Sequence, residues 1–151
     1  MFKKLLNKKL LKNQKGLTLI ELLAVIVILA IVAAIAVPAI GNVIQNSKYN
    51  AIKADAINVL NAANIYYTDN PDANDGVTVE ELINENYLDS AGKLPLKDTE
   101  VSKDVPRKIN VTVEKVLKHS IEFKDATIDK INGDNKKGSK IEGKYTVGSN
   151  K

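Results

Sequence analysis

Residues 17–41, LTLIELLAVIVILAIVAAIAVPAIG, decide the fold because they contain a single ionisable side chain, Glu21. From Leu22 to Gly41 no polar side chain occurs, and 12 of these 20 residues are Leu, Ile or Val. A helix needs about 20 predominantly apolar residues to cross the hydrocarbon core of a bilayer, and the apolar runs of buried core helices are usually shorter. The sequence therefore predicts a membrane-spanning helix.

The segment before this run is strongly basic. Residues 1–16 contain no acidic residue and hold six lysines: Lys3, Lys4, Lys8, Lys9, Lys12 and Lys15. Without this segment 16 basic residues face 18 acidic ones, so the net charge of +4 comes from the N-terminus. Lysines at one end of an apolar helix keep that end in the cytoplasm. We therefore expect a single-pass protein of the cytoplasmic membrane, with its N-terminus inside and its C-terminal part outside.

The two segments together form a specific motif. The sequence KGLTLIELLAVIVILAIVAAIAVP, residues 15–38, resembles the N-terminus of type IV pilins and of the pseudopilins of type II secretion and competence systems. These proteins share a basic leader, a glycine before the cleaved bond, a glutamate shortly after it and a proline further along the same helix. Here those positions are held by Gly16, Glu21 and Pro38.

The resemblance implies how the chain is processed. In that family the prepilin peptidase, a membrane aspartyl protease, cleaves after the glycine and methylates the new amino terminus. Gly16 then precedes the cut, and Leu17 becomes the first mature residue and the candidate for N-methylation. The family usually has Phe at that position, so Leu17 departs from the commonest form. Glu21 and Pro38 are the residues that the resemblance assigns to assembly.

Two simpler interpretations of the N-terminus are open. One is an ordinary secretory signal peptide that is cleaved at the small-residue triplet of residues 34–36. The other is a plain membrane anchor. Each explains the hydropathy, but neither explains the combination of Gly16, Glu21 and Pro38.

The chain is expected to have three parts: a cleaved leader at 1–16, a transmembrane and filament-core half of a long helix at 17–44, and an extracellular globular domain at 45–151. Pro38 predicts a kink or local unwinding of the helix between Ala34 and Gly41. Beyond the apolar run the helix continues as an amphipathic one, and Pro71 predicts its end near Tyr67–Asp69. Its apolar residues recur at three- and four-residue steps: Ile44, Ile52, Ala56, Val59, Leu60, Ala63 and Tyr67.

The remaining sequence predicts a short helix followed by strands. Residues 78–81 form a capping box at the start of that helix. Apolar and polar residues then alternate over 109–113, 121–123 and 141–147, which predicts three strands; Ile128 and Ile131 belong to a fourth strand or to a turn before a hairpin loop at 132–135. The predicted fold is α+β, with the long N-terminal helix packed on a small antiparallel sheet of three to four strands, as the resemblance to pilins also implies.

Candidate catalytic and metal-binding groups are few. The chain has no cysteine, and its one histidine, His119, is expected in a surface turn, so neither a His/Cys metal site nor a Ser/His or Cys/His pair can form. The acidic residues 69–76 do not fit the ligand spacing of an EF-hand loop. We therefore expect no enzymatic activity, metal or cofactor. Because many Gram-negative pilins carry a C-terminal disulfide loop, the lack of cysteine makes the chain look Gram-positive.

The resemblance implies a structural subunit of a type IV pilus, a filament used for adhesion, motility or biofilm formation. Its partners would be the prepilin peptidase, further copies of the chain, minor pilins, the assembly machinery and the membrane. A pseudopilin or competence pilin, or a membrane-anchored extracytoplasmic binding module, are the alternatives. Some related pilins help to capture DNA, and Tyr66, Tyr67 or the lysines at 136–140 could contact it, but a packed core and a solvated turn explain these residues as well.

Overall fold

The computed structural model describes the backbone of residues 2–115 and 119–148, and the side chains of residues 18–115 and 119–148. The described chain is α+β, as predicted. Its elements follow in this order: α1 (Phe2–Asp69), β1 (Val77–Thr78), α2 (Val79–Asn84), β2 (Glu100–Val101), β3 (Ile109–Val113), β4 (Ser120–Ala126), α3 (Ile128–Gly133), a short 3-10 turn (Gly138–Lys140) and β5 (Lys144–Val147).

The chain forms two compact units that divide between Gly41 and Asn42. The described part of the first unit consists entirely of helix, and it contains the apolar run. The second unit contains the rest of α1 together with all strands and the other helices. The apolar run and the globular part are therefore separate units, joined by one continuous stretch of chain.

The backbone remains helical through Pro38, which lies inside α1. The predicted local unwinding between Ala34 and Gly41 is therefore wrong for the isolated subunit. Proline removes one backbone hydrogen bond from a helix. The loss of that single bond, within a helix of 68 residues, does not interrupt the helical backbone here.

The sheet differs from the prediction in strand number and direction. It has five strands in the order β1-β2-β3-β4-β5. The first four pair antiparallel, whereas β5 runs parallel to β4, with Ser120 opposite Lys144 and Phe123 opposite Val147. The two additional strands, β1 and β2, contain two residues each, too few for an alternating pattern to reveal.

The connection between β4 and β5 also corrects the prediction. Residues 128–133 form helix α3, not a strand or a hairpin turn. The Thr127 side chain caps this helix by accepting a hydrogen bond from the Lys130 N–H at 3.3 Å. Parallel neighbours cannot be joined by a tight hairpin and need a crossover connection. Helix α3 and the 3-10 turn supply that crossover.

The core lies between one face of α1 and the inner face of the sheet. Tyr49 is the first buried residue of that helical face, and the sheet contributes Ile109, Ile121 and Phe123 to the same cluster. The other buried α1 residues of this face are Ile52, Ala56, Val59, Leu60, Ala63 and Tyr67. Ile44 was predicted to begin this face but is 48% exposed, so the buried face begins later.

Helix α2 begins at the predicted capping box. The Thr78 hydroxyl accepts a hydrogen bond from the Glu81 N–H at 3.3 Å, and the Glu81 carboxylate accepts one from the Thr78 N–H at 2.8 Å. This reciprocal arrangement satisfies two backbone donors at the helix start. It places Leu82 fully inside the core.

The division at Gly41 predicts that residues 42–151 fold without the apolar run. This fragment should be soluble and monomeric, because it keeps the buried face of α1 and loses only exposed apolar surface. A fragment that begins at Ser47 should also fold, but be less stable by about 1 kcal/mol, since it lacks the Asn46 side chain that accepts a hydrogen bond from Ser139. Circular dichroism during urea unfolding measures both. Aggregation, or a spectrum without helix, would contradict the division.

Candidate processing and assembly site

The sequence-predicted site residues all lie on α1. Gly16 and Leu17 are helical in the backbone, and the Leu17 side chain lies outside the described residues. Glu21 is exposed and follows Leu17 by four residues, so the two positions share one face of the helix. Pro38 lies further along the same helix, so α1 alone carries every one of these positions. Their roles in cleavage, methylation and assembly stay predictions.

The helix surface that follows Glu21 is apolar on all sides as far as Gly41. Large apolar side chains from Leu19 to Ile44 are each between 48% and 70% exposed. Among the residues whose side chains are described, one helix is long and apolar enough to cross a membrane, and none of its most apolar window is buried. Contiguous exposed apolar surface of this kind marks a site that contacts lipid or another protein.

The second half of α1 is tied to the crossover by Asp134. The Asp134 carboxylate accepts hydrogen bonds from the hydroxyls of Tyr49 and, at 2.7 Å, Tyr145. The Lys53 ammonium donates to the Asp134 carbonyl at 2.5 Å and lies 3.9 Å from its carboxylate. Burial, together with the Asp134 carboxylate, raises the pKa of Tyr49 above its ordinary value and that of Tyr145 to about 12. We call these four residues the Asp134 cluster.

We did not predict the Asp134 cluster from the sequence. Its one local signal is Tyr49, which precedes Ile52 by three residues and so continues the apolar face of α1. Asp134 lies 85 residues away in a segment that reads as a solvated turn. Nothing near Asp134 in the sequence indicates that two tyrosines contact its carboxylate.

A lysine closes the acidic loop after α1. The Lys103 ammonium donates hydrogen bonds to the carbonyls of Pro71 at 2.6 Å and Ala73 at 2.8 Å. The Lys103 N–H also donates to the Asp75 carboxylate at 2.6 Å. This is the loop that was compared with an EF-hand above. Two of its carbonyls therefore accept hydrogen bonds from a lysine of the same chain.

The aromatic residues at the end of α1 belong mainly to the core. Tyr67 is buried, and its hydroxyl donates a hydrogen bond to the Val101 carbonyl at 3.1 Å. The Arg107 guanidinium lies 4.5 Å from the centre of the Tyr67 ring. Tyr66 packs edge-on against both Tyr67 and Tyr87. These contacts favour the structural interpretation of the two tyrosines over base stacking.

The raised pKa of Tyr145 predicts how stability depends on pH. An unperturbed tyrosine titrates near pH 10, about two units below Tyr145 in the fold. The protonated hydroxyl therefore stabilises the fold fully below about pH 10, and this contribution is lost as the pH rises toward about 12. Tyr145→Phe should lower the stability of residues 42–151 at neutral pH by about 1 kcal/mol and flatten its decline above pH 10.

Urea unfolding of the two proteins at a series of alkaline pH values measures this effect. An equally steep decline in the Tyr145→Phe variant would show that the proton on this hydroxyl does not stabilise the fold.

Comparison with known families identifies the N-terminal motif. Residues 11–37 match the family model described as the prokaryotic N-terminal methylation motif. The match includes Gly16, Leu17 and Glu21 and ends one residue before Pro38. No curated protein and no solved structure matches the chain significantly. With the long apolar helix and the small sheet that follows it, this match identifies the chain as a protein with the class III signal peptide of type IV pilins and pseudopilins.

Proposed function

We propose that the chain is a prepilin, the precursor of a structural subunit of a type IV pilus. It is inserted in the cytoplasmic membrane with its N-terminus inside, cleaved between Gly16 and Leu17 by a prepilin peptidase, and polymerised into an extracellular filament. It acts as a building block and not as an enzyme. The observation that supports this most strongly is the methylation motif at 11–37, which includes most of the exposed apolar run.

Assembly uses the membrane as a reservoir of subunits. A helix that is apolar on all sides is stable in lipid, and outside lipid it stays dry only when it packs among other such helices. Polymerisation then replaces lipid contacts with contacts between copies of the chain. Because lipid tails are as apolar as leucine, packing shape and polar groups such as Glu21 must determine how neighbouring helices are aligned.

The outer unit supports this proposal because it has its own core. The buried face of α1 packs in one cluster with the sheet, and this cluster includes no residue of the apolar run. The Asp134 cluster joins the beginning of that face, at Tyr49, to the rest of the domain. The Arg107–Tyr67 contact joins its end. The domain can therefore keep its structure while the apolar helix moves from lipid to a filament.

A pseudopilin or competence pilin would carry the same motif. Adhesion, motility and biofilm formation are uses that the resemblance implies for a long filament.

Immunogold microscopy with an antibody to residues 70–151 tests the proposal in cells that hold the peptidase and the assembly machinery. We expect long labelled filaments. Cleaved chain without long filaments would favour a pseudopilin, and uncleaved chain spread over the envelope would favour a membrane-anchored binding module.

A further inference from the structure

The crossover before β5 carries an exposed group of lysines. Lys136, Lys137 and Lys140 are exposed, as is Lys48 on α1. Among the described residues no carboxylate forms a salt bridge with any of the four, whereas Lys53, Lys97 and Lys144 each have an acidic partner. The acidic residues nearest to them in sequence are Glu142, which is also exposed, and Asp134, whose carboxylate is engaged by Tyr49, Tyr145 and Lys53. We call Lys48 and residues 136–140 together the basic loop; it carries a local excess of positive charge.

The basic loop is fixed against one turn of α1. A Cβ atom at Gly138 would lie 2.4 Å from the Gln45 carbonyl oxygen and 2.8 Å from Tyr49 Cβ, so glycine alone permits this approach. The Ser139 N–H donates a hydrogen bond to the Asn46 side chain at 2.9 Å. Residues 45–49 are the turn that includes Lys48. The segment that carries the crossover lysines is therefore held against the turn of α1 that includes Lys48.

The chain itself limits how far this turn can lie from the apolar run. Asn46 follows Gly41, the last residue of that run, by five residues. This separation is about 8 Å in a helix and at most about 18 Å in any conformation. The headgroup layer of a bilayer occupies about 5–7 Å on each side of its hydrocarbon core. With the apolar run in a membrane, the turn that holds the basic loop therefore stays within about 18 Å of the end of the span, whatever angle the outer unit adopts.

We propose that the basic loop binds the phosphate groups of anionic phospholipids at the outer face of the membrane; this rests on the proposed insertion of the apolar helix. Clusters of four or more lysines or arginines on the cytoplasmic side of a membrane span are typical of anionic lipid binding, and the same charge attraction acts at any leaflet that contains anionic phospholipid. Each ammonium group offers three donors to phosphate oxygens, and its alkyl chain can lie along the membrane surface. These contacts tether the outer unit to the bilayer and are broken when the subunit enters a filament.

Lipid suits the basic loop better than nucleic acid does. Binding of single strands combines cationic groups with exposed aromatic rings. Near the basic loop the Tyr49 ring is buried, and Lys136 lies over the Tyr145 ring at 5.8 Å. Anionic headgroups, in contrast, surround a proposed span that ends five residues before Asn46.

The test uses the full chain in nanodiscs made of phosphatidylcholine alone or of phosphatidylcholine mixed with phosphatidylglycerol. Neither lipid has a primary amine that an acylating reagent could modify. A small uncharged acylating reagent labels the lysines, and mass spectrometry gives the rate at each one. We expect the four lysines of the basic loop to react severalfold more slowly in the anionic discs, and high salt to reverse this effect. Lys97, whose side chain is 79% exposed, and the exposed Lys124 are internal controls whose rates should not change.

A charge variant provides a second measurement. Changing Lys136, Lys137 and Lys140 to Gln together should strongly reduce the effect of phosphatidylglycerol on the labelling rate of Lys48. Changing Lys97 and Lys124 to Gln, as a matched control, should leave that effect intact. The fold should tolerate both variants because all five side chains are exposed.

The outcomes separate this inference from the proposed function. Coelution of the chain with both kinds of disc, combined with equal labelling rates in the two, would overturn lipid binding and leave membrane insertion standing. Failure to coelute with either disc would overturn both. Protection of the lysines by an added oligonucleotide in neutral discs, without protection by phosphatidylglycerol, would assign the basic loop to nucleic acid and refute the lipid proposal.

Discussion

Replacement of Gly16 by leucine should leave nearly all of the chain as uncleaved precursor and abolish filaments. In the proposed processing Gly16, which lies within the motif matched at 11–37, immediately precedes the cut, and a peptidase subsite fitted to glycine has no room for a branched side chain. The precursor should still insert, because the apolar run and the lysines of the leader are unchanged. Mass spectrometry of the membrane-extracted protein measures the ratio of full-length chain to chain that begins at Leu17.

Two matched variants control for effects other than fit at the cut site. Gly16→Ala adds one methyl group and should be cleaved to a substantial extent, whereas Gln14→Leu adds a branched side chain two residues earlier and should be cleaved normally. Efficient cleavage of Gly16→Leu would refute the steric argument. A wild-type mature protein that begins at a residue other than Leu17 would show that the cut lies elsewhere.

Features determined by local sequence were predictable. The end of α1 at Asp69 follows from Pro71, which disfavours helix in the residue before it, and the Asn70 side chain there donates a hydrogen bond to the Tyr66 carbonyl at 3.0 Å. The capping box of α2 is also readable, because its two partners, Thr78 and Glu81, lie three residues apart. In each case the residues that determine the structure are close together in the chain.

Features that depend on distant partners were not predictable. Strand β1 exists because Val77 pairs with Val101 of β2, and neither two-residue strand has a pattern of its own. Alternation identified β4 and β5 as strands, but it carries no information on their relative direction. The helical spacing of Ile128 and Ile131 after the Thr127 cap was visible in the sequence. We instead predicted a fourth strand or a turn for these residues.

The same contrast between local and distant determinants applies to Glu21. The sequence indicates that Glu21 lies within an apolar span, and the structure shows it exposed on an uncovered helix. The partner that we propose for it in a filament belongs to another copy of the chain, so that partner cannot be identified from one subunit. A variant of Glu21 is therefore the most direct way to test that partnership.

Glu21→Ala should be inserted and cleaved normally but should form few or no filaments. In the proposed orientation of the precursor Glu21 lies near the cytoplasmic end of the span, six residues from Lys15, where its carboxylate can reach the interface. Cleavage creates a charged amine at Leu17, and in a filament core an unpaired ion costs on the order of several kcal/mol. Pairing the carboxylate of an incoming subunit with the amine of a neighbour relieves both charges at one axial offset only, so the pair selects the alignment of the helices more than it adds stability.

Glu21→Gln separates charge from shape in this prediction. Glutamine has nearly the same size but cannot neutralise the amine, so this variant should assemble almost as poorly as Glu21→Ala. Glu114→Gln is a matched control, because Glu114 is exposed on the outer unit and the substitution changes the net charge equally. Electron microscopy counts the filaments, and mass spectrometry verifies cleavage at Leu17. Abundant filaments of normal subunit spacing, built from Glu21→Ala chains alone, would show that apolar packing by itself aligns the helices and that the ion pair is not needed.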